Sequence, residues 1–241
     1  MSQNISFNIY VMSYQRPNVH LTEKVLEYCT YVVREEEAED YKKNGHNNLL
    51  VIPTGEVSDF VSTFFWIIEN TKEDVIAIVD DDVKYFMYRT IDCINIKSDE
   101  EGKILVSQEL ERIAQLIVDL DIGIAYPPMS KALYAYDREF NFLGVPGQLR
   151  IVNKKRFKAT YNPKDDARGD IDICMQEILK NRICLREMYF LPNAFQDKIL
   201  GKEEYDNRKE HYDYVYALMN KWGKYFDYDF KKNIAKIKII R

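Results

Sequence analysis

The chain has 241 residues, 46% of them hydrophobic and 30% charged, and a formal net charge of −5. That length suits one large α/β domain with a well-covered sheet, and so mild a charge rules out an overall polybasic nucleic-acid binder while leaving room for local basic patches. Cys29, Cys93, Cys174 and Cys184 are scattered without a Cys-x-x-Cys pair, which argues against a zinc knuckle or redox dithiol and for free thiols in a reducing cytoplasm. The N-terminus lacks a charged region followed by an apolar stretch, and no apolar run approaches the roughly 18 residues of a membrane span, so neither a signal peptide nor a membrane segment is expected.

In chain order, residues 7–13 read as a first strand ended by Tyr14-Gln15-Arg16-Pro17, and a helix is expected over 19–28. Residues 30–34 form a second strand, and Glu35-Glu36-Glu37 opens a short helix, where negative charge suits the N-terminal dipole. A third strand, 49–53, closes at Pro53. Val57, Val61, Phe64, Phe65 and Ile68 at helical spacing predict an amphipathic helix over 57–70. Val75-Ile76-Ala77-Ile78-Val79 is an apolar, β-branched run of the kind found in strands buried on both faces. Strands alternating with helices over these first 80 residues predict a parallel, doubly wound sheet. The absence of a Gly-x-Gly-x-x-Gly or Walker-type loop disfavours a Rossmann dinucleotide site and a P-loop.

Beyond this run, 92–103 reads as a polar loop. A helix over 107–120 follows, capped by Ser107, with Leu110, Ile113, Ala114, Ile117 and Val118 facing inward. Short strands are predicted at 122–126, stopped by Pro127-Pro128, and at 149–152. A helix spans 172–180, residues 183–191 have strand character, and a Tyr-rich helix runs over 204–222. Ile alternates with Lys in the tail 231–241, as in an edge strand or a surface-lying segment. No internal repeat or linker is visible.

The chemistry centres on Asp80-Asp81-Asp82, at the end of the buried run. That places it on the rim where open α/β sheets bind ligands. Three adjacent carboxylates repel one another, which favours a cation among them, and Mg2+ or Mn2+ commonly bridges one or two carboxylates to a diphosphate. On an extended segment Asp80 and Asp82 point to one side as metal and diphosphate ligands, while Asp81 points elsewhere, to a backbone amide or a ribose. A second acidic group is Asp170-Ile171-Asp172, with Asp165-Asp166 just before it. Asp170 is either an N-cap or a carboxylate aimed into the cleft as general base for an acceptor hydroxyl, with Asp172 the cap in the second case. His20 and His46 have no evident constellation around them.

In order and context, Ser13-Tyr14-Gln15-Arg16-Pro17, the Asp triplet and Gly169-Asp170-Ile171-Asp172 resemble the GT-A glycosyltransferases. Those enzymes pair a Rossmann-like half with an Asp-x-Asp motif and a downstream acidic helix start. Val32-Val33-Arg34-Glu35-Glu36-Glu37 with Tyr41, together with Gly147-Gln148-Leu149-Arg150, more narrowly resembles the TET/JBP-associated, bacteriophage-type DNA-modifying glycosyltransferases. Two departures stand out: Gly169 replaces the family's Glu, and Gly201-Lys202 replaces an expected Gly-Gly.

The resemblance implies a single GT-A domain over 1–241, with a mostly parallel central sheet flanked by helices. Residues 1–90 would form the nucleotide-sugar half and 91–241 the acceptor half. It also implies a nucleotide-sugar donor, a UDP-sugar first, with Mn2+ or Mg2+. Ser13, Tyr14 and Arg16 would border the nucleotide, Arg34 and Glu35 would approach its base or ribose, and Asp80 and Asp81 would serve the donor. Asp82 and Asp80 would hold the metal, with Asp197 or His211 as a third ligand. Asp170 would be the base. Lys198 and Lys202 would touch diphosphate or sit in a solvated loop.

The acceptor implied is a hydroxyl, that of a 5-hydroxymethylpyrimidine in phage-type DNA or that of a saccharide. For DNA, Lys154-Lys155-Arg156, Lys158 and Arg168 would ring the cleft, with Tyr134, Tyr136 and Phe140 near an extruded base. Two rival readings of the same residues are a haloacid-dehalogenase-type phosphohydrolase and a non-catalytic binding protein on a degenerate transferase fold. The location implied is cytoplasmic, the host's cytoplasm for a phage protein.

Overall fold

The run 75–79 is enclosed on both faces: every one of its five residues is 0% exposed. It forms β4 (Val75–Asp80), which lies between β1 (Phe7–Met12), parallel to it, and β9 (Leu149–Asn153), antiparallel to it. The structure is a computed structural model that describes residues 5–89, 92–128, 136, 138–144, 146–161, 169–194, 208–231 and 234–239.

The other strands of the main sheet are β2 (Thr30–Arg34), β3 (Leu49–Ile52), β7 (Ile124–Tyr126), β8 (Phe140–Asn141) and β10 (Leu185–Glu187). The eight strands lie in the order β3-β2-β1-β4-β9-β7-β10-β8. The pairings β3–β2, β2–β1, β1–β4 and β7–β10 are parallel, whereas β9 runs against both neighbours and β8 runs against β10. This is the mostly parallel α/β sheet that the sequence predicts.

Alternation along β4 divides it between two cores, because successive side chains of a strand point to opposite faces. Val75, Ala77 and Val79 pack with Val106, Leu110, Ile113 and Ile117 of α3 (Glu100–Asp119). Ile76 and Ile78 pack with Phe64, Phe65 and Ile67 of α2 (Phe60–Asn70) and with Ile173 and Ile178 of α4 (Gly169–Asn181). Between β2 and β3 lies the short α1 (Ala38–Lys43), preceded by a 3-10 turn at Glu35–Glu37. A third apolar cluster joins Ile171 and Met175 of α4 to α5 (Arg208–Trp222) and to the hairpin β12 (Phe226–Asp229)–β13 (Ile234–Ile237). The alternating tail is thus one strand of a two-stranded hairpin.

Several elements differ from expectation. In place of a helix over 19–28 there is only a 3-10 turn, Thr22–Val25. The Thr22 hydroxyl donates to the Asp80 carbonyl and accepts from the Val83 N–H, so a contact some 60 residues away in sequence holds this segment. The helix assigned to 57–70 begins at Phe60 and leaves Val57 outside, because Asp59 caps it through the Ser62 N–H at 2.7 Å. The polar stretch 92–103 is not a loop: it holds β6 (Cys93–Asn95) and the first turn of α3. Asp99, not Ser107, caps that helix through the Gly102 N–H, and a Cβ on Gly102 would fall 1.9 Å from the Lys97 carbonyl oxygen. Ser107 is buried within the helix and accepts from the Glu27 N–H. The polar residues before it belong to the solvent side of an amphipathic helix.

The aromatic segment after the triplet is a strand, β5 (Val83–Arg89), and β11 (Phe190–Ala194) pairs with it; with β6 they form a separate antiparallel sheet. Residues 183–191 therefore divide between β10 in the main sheet and β11 in the small one.

Candidate active site

Because β1 to β4 run parallel, their carboxyl ends share one edge of the sheet. The chain leaves β1 toward β2 and β3 and returns to β4 on the other side of β1, so a crevice opens between the ends of β1 and β4. Loop 13–16 and the Asp triplet face each other there.

Asp81 holds that loop. Its side chain is buried, with Oδ2 accepting from the Ser13 hydroxyl at 2.6 Å and Oδ1 from Arg16 Nη1 at 2.9 Å. Fully buried Tyr41 extends the chain of bonds: its hydroxyl lies 2.6 Å from Ser13 Oγ and accepts the Arg16 N–H at 3.1 Å. With Ser13 donating to the carboxylate, the Tyr41 O–H donates to Ser13, and the bonds run in one direction toward the negative charge. Gln15, in the left-handed region at φ 56, is fixed through its N–H by Glu37 at 2.8 Å. Burial pushes the Asp81 carboxyl above the ordinary range, against the pull of Ser13 and Arg16, and the Asp80 charge adds to the rise.

Asp80 closes β4, and Asp81 and Asp82 form a turn before β5, so the triplet is not extended and the every-second-residue geometry does not apply. The Asp80 carboxylate accepts from Arg150 Nη1 at 2.7 Å. Arg150, an arginine inside the apolar strand β9, lies buried with its guanidinium 4.7 Å from the Phe60 ring centre. Asp82 differs from both neighbours: its Oδ1 is buried and has no hydrogen-bond partner among the described residues. Burial first, then the charges of Asp80 and Asp81, push its carboxyl up to about 7, with Arg16 pulling the other way. An oxygen ligand so placed, beside two further carboxylates, fits a hard divalent cation, which would relieve both the desolvation and the repulsion.

The adjoining wall is built by the ends of β2 and β3. The Arg34 guanidinium stacks 4.0 Å over the Tyr14 ring and donates to the Ser58 carbonyl at 3.1 Å. Glu35 Oε2 accepts the N–H and the hydroxyl of Thr54, both at 3.0 Å, and these bonds hold its carboxyl below the ordinary range.

Asp170 is half-buried in the first turn of α4, which begins one residue earlier, at Gly169. A Cβ on Gly169 would fall 2.1 Å from Val61 Cγ2, so α4 touches the start of α2, next to the Phe60 that faces Arg150. That contact leaves no room for a side chain where the GT-A helix motif carries Glu. Asp172 is not a cap: it is buried and accepts from Gln176 Nε2, Lys221 Nζ and Trp222 Nε1 at 2.7 to 2.8 Å, tying α4 to α5.

Other sequence-predicted residues fall elsewhere. Asp165, Asp166, Arg168, Tyr134, Asp197, Lys198 and Lys202 lie outside the described residues; His211 is on α5, with its side chain outside them. Lys154-Lys155-Arg156 do not ring the crevice. They follow β9, whose end pairs with the start of β4, so they lie at the opposite edge of the sheet. There Lys154 binds the Thr71 carbonyl and Arg156 pairs with Asp121. His20 and His46, far from lacking a constellation, stack on each other beside Glu23. Sequence reasoning assigned no role to Arg150 or Thr22; a lone arginine in the apolar run Leu149-Arg150-Ile151-Val152 was the available signal for the first.

No protein-family model matches the chain, and no curated protein matches it in sequence. Its fold is similar to that of a mannosyltransferase from Pyrobaculum calidifontis in complex with GDP-Man and Mn2+ (12% identity, TM-score 0.58, 92% of this chain and 66% of that one). The chain thus spans just under two thirds of that protein's length. It is also similar to glucosyl-3-phosphoglycerate synthase from Mycobacterium tuberculosis in complex with Mg2+ and UDP (7% identity, TM-score 0.56, 97% of this chain and 87% of that one). The same enzyme with Mn2+, UDP-glucose and phosphoglyceric acid gives 6% identity and a TM-score of 0.54 over 97% of this chain and 86% of that one. At such identities the likeness establishes the GT-A fold. No helix among the described residues is long and apolar enough to cross a membrane.

Proposed function

We propose that this chain is a metal-dependent glycosyltransferase that moves a sugar from a nucleotide-sugar donor, a UDP-sugar first, to a hydroxyl acceptor. The observation that carries this reading is Asp82, a carboxylate with a buried, unpartnered oxygen beside two more carboxylates, in the crevice where such folds take ligands. Asp82 and Asp80 would hold Mn2+ or Mg2+, which when bound neutralises charge on the departing nucleoside diphosphate.

The chain's own residues account for the rest. Asp81, Ser13 and Tyr41 hold loop 13–16 against the donor, and Arg16 and Arg150 supply positive charge to its diphosphate. The stacked Arg34–Tyr14 pair and Glu35 border the base and ribose. In transfer, the acceptor oxygen bonds to the sugar's anomeric carbon as that carbon's bond to the diphosphate breaks, and Asp170 takes the acceptor's proton. Asp197 and His211 stay as the proposed third metal ligands. The acceptor we favour is a saccharide or another small hydroxyl compound over DNA, because the basic run 154–156 lies at the far edge of the sheet.

A thermal-shift series with UDP- and GDP-sugars, with and without Mn2+, tests the reading. Stabilisation that needs both metal and nucleotide, and is lost in Asp82→Asn, is expected; none with any nucleotide would sink it. Transfer to hydroxymethylated DNA, and not to saccharides, would overturn the acceptor assignment. Asp170→Asn should lower turnover by about 10²- to 10⁴-fold with donor affinity kept, the range of a general base.

A further inference from the structure

Behind loop 13–16 lies a second group of metal-binding side chains with a different donor set. His20 and Glu23, three residues apart around the start of the 3-10 turn, meet at 2.5 Å between Nδ1 and Oε1. His46, which follows α1, reaches the other oxygen of the same carboxylate, its Nδ1 lying 3.2 Å from Oε2. Among the described residues these three side chains bring one ligand atom each within 4.8 Å of one another.

The tautomer of His46 decides what its Nδ1 can do. Its Nε2 lies 3.0 Å from the Pro17 carbonyl oxygen, which only accepts, so Nε2 carries a proton, and in the neutral ring Nδ1 then presents a lone pair. That lone pair faces the Glu23 carboxylate, itself an acceptor, and among the described residues Nδ1 is buried without a hydrogen-bond partner in a side chain that is 0% exposed. A buried lone pair opposite a carboxylate oxygen is unfavourable for neutral imidazole and is what a cation between them would satisfy. The other ring nitrogen of a metal-bound histidine commonly donates to a backbone carbonyl, as Nε2 does here, and this fixes the ring. The Tyr31 and Tyr41 rings hold His46 from the sides, at 4.3 and 5.2 Å.

We propose that His20, Glu23 and His46 form a binding site for a borderline transition metal, Zn2+ first, distinct from the all-oxygen site at Asp82. Two imidazoles and one carboxylate make a three-ligand zinc set with water as the fourth ligand, whereas Mg2+ and Mn2+ prefer oxygen donors. A separation of 3.2 Å between His46 and Glu23 atoms matches the roughly 3.3 Å edge of a tetrahedron with ligands at 2.0–2.1 Å. The two rings are parallel, 4.2 Å apart, so an ion in the plane of His46 lies outside that of His20. Binding therefore turns the His20 ring out of the stack, which its half-buried position allows, while His46 stays seated. The ion joins the turn that carries Thr22, bonded to Asp80 and Val83, to the Pro17 end of loop 13–16, and so stiffens that loop from behind.

The test uses the full-length chain carrying Asp82→Asn, so that the oxygen site does not contribute. Titration with ZnCl2 should show one Zn2+ per chain and a rise in Tm. Titration with CoCl2 should give the visible absorption of four-coordinate Co2+. His20→Ala and Glu23→Gln, both at partly exposed positions, should each weaken Zn2+ binding by about a hundredfold, the upper end of what removing even an outer-shell partner of a metal costs. No Zn2+ binding by the Asp82→Asn protein, or equal binding by all three proteins, would overturn the proposal. Neither readout requires transferase activity, so the result is independent of the function proposed above.

Discussion

Replacing Asp82 by asparagine removes one of three crowded carboxylates at nearly constant shape, and the structure specifies how stability should respond. In the folded chain the Asp82 carboxyl is pushed up to about 7, against an ordinary value near 3.9. Between those two pH values the folded state holds a proton that the unfolded state has released, so wild-type stability falls as pH rises through this window. Three units at 1.36 kcal/mol each set a ceiling of about 4 kcal/mol. Partial exposure and coupling within the triplet reduce the expected gain to about 1–2 kcal/mol. In a domain of this size that corresponds to a Tm about 3–6 °C above wild type at pH 8. The gain should shrink to a small fraction by pH 4, where Asp82 is protonated in the folded state and about half protonated in the unfolded one. Mn2+ added together with a UDP-sugar should raise the wild-type Tm and leave the variant's nearly unchanged. Differential scanning fluorimetry across pH 4–8 measures all of this. A variant less stable than wild type at pH 8, or a gain equally large at pH 4, would refute the assignment of Asp82 as the strained carboxylate.

Gly169→Ala should cost about 1–3 kcal/mol in urea unfolding, since its Cβ meets Val61, and pairing it with Val61→Ala should recover most of the loss. Asp172→Ala removes the acceptor shared by Gln176, Lys221 and Trp222; a loss of about 2–4 kcal/mol and a shift in tryptophan emission from Trp222 are expected. Tyr41→Phe takes away both the acceptor of the Arg16 N–H and the donor to Ser13, and should raise the KM for nucleotide-sugar about tenfold, with a smaller effect on kcat.

Much of the frame is legible in the sequence. Alternating apolar runs placed β1 to β4 and α2 within a few residues, and the apolar run ending in three aspartates located the crevice rim. The misplacements share a cause. The segment 19–28 and Ser107 were read by local preference, yet Thr22 and Ser107 are each held by a partner on another element, so the first segment forms only a 3-10 turn and Ser107 sits inside a helix. The Lys154–Arg156 run reads as a plausible phosphate-binding patch until the reversed direction of β9 carries it to the opposite edge of the sheet.

Strand and helix periodicity, and the mutual repulsion of neighbouring carboxylates, act over a few residues, so a buried parallel sheet ending in a cation-seeking cluster could be read along the chain. The division of labour within the triplet could not. Asp81 is paired with Arg16 across 65 positions and Asp80 with Arg150 across 70, and these pairings leave Asp82 as the carboxylate of the triplet with a buried oxygen unpartnered among the described residues. The stacking of His20 on His46 is of the same kind. Which charges and lone pairs are satisfied depends on through-space contacts that strand order creates, and strand order is a property of the folded chain.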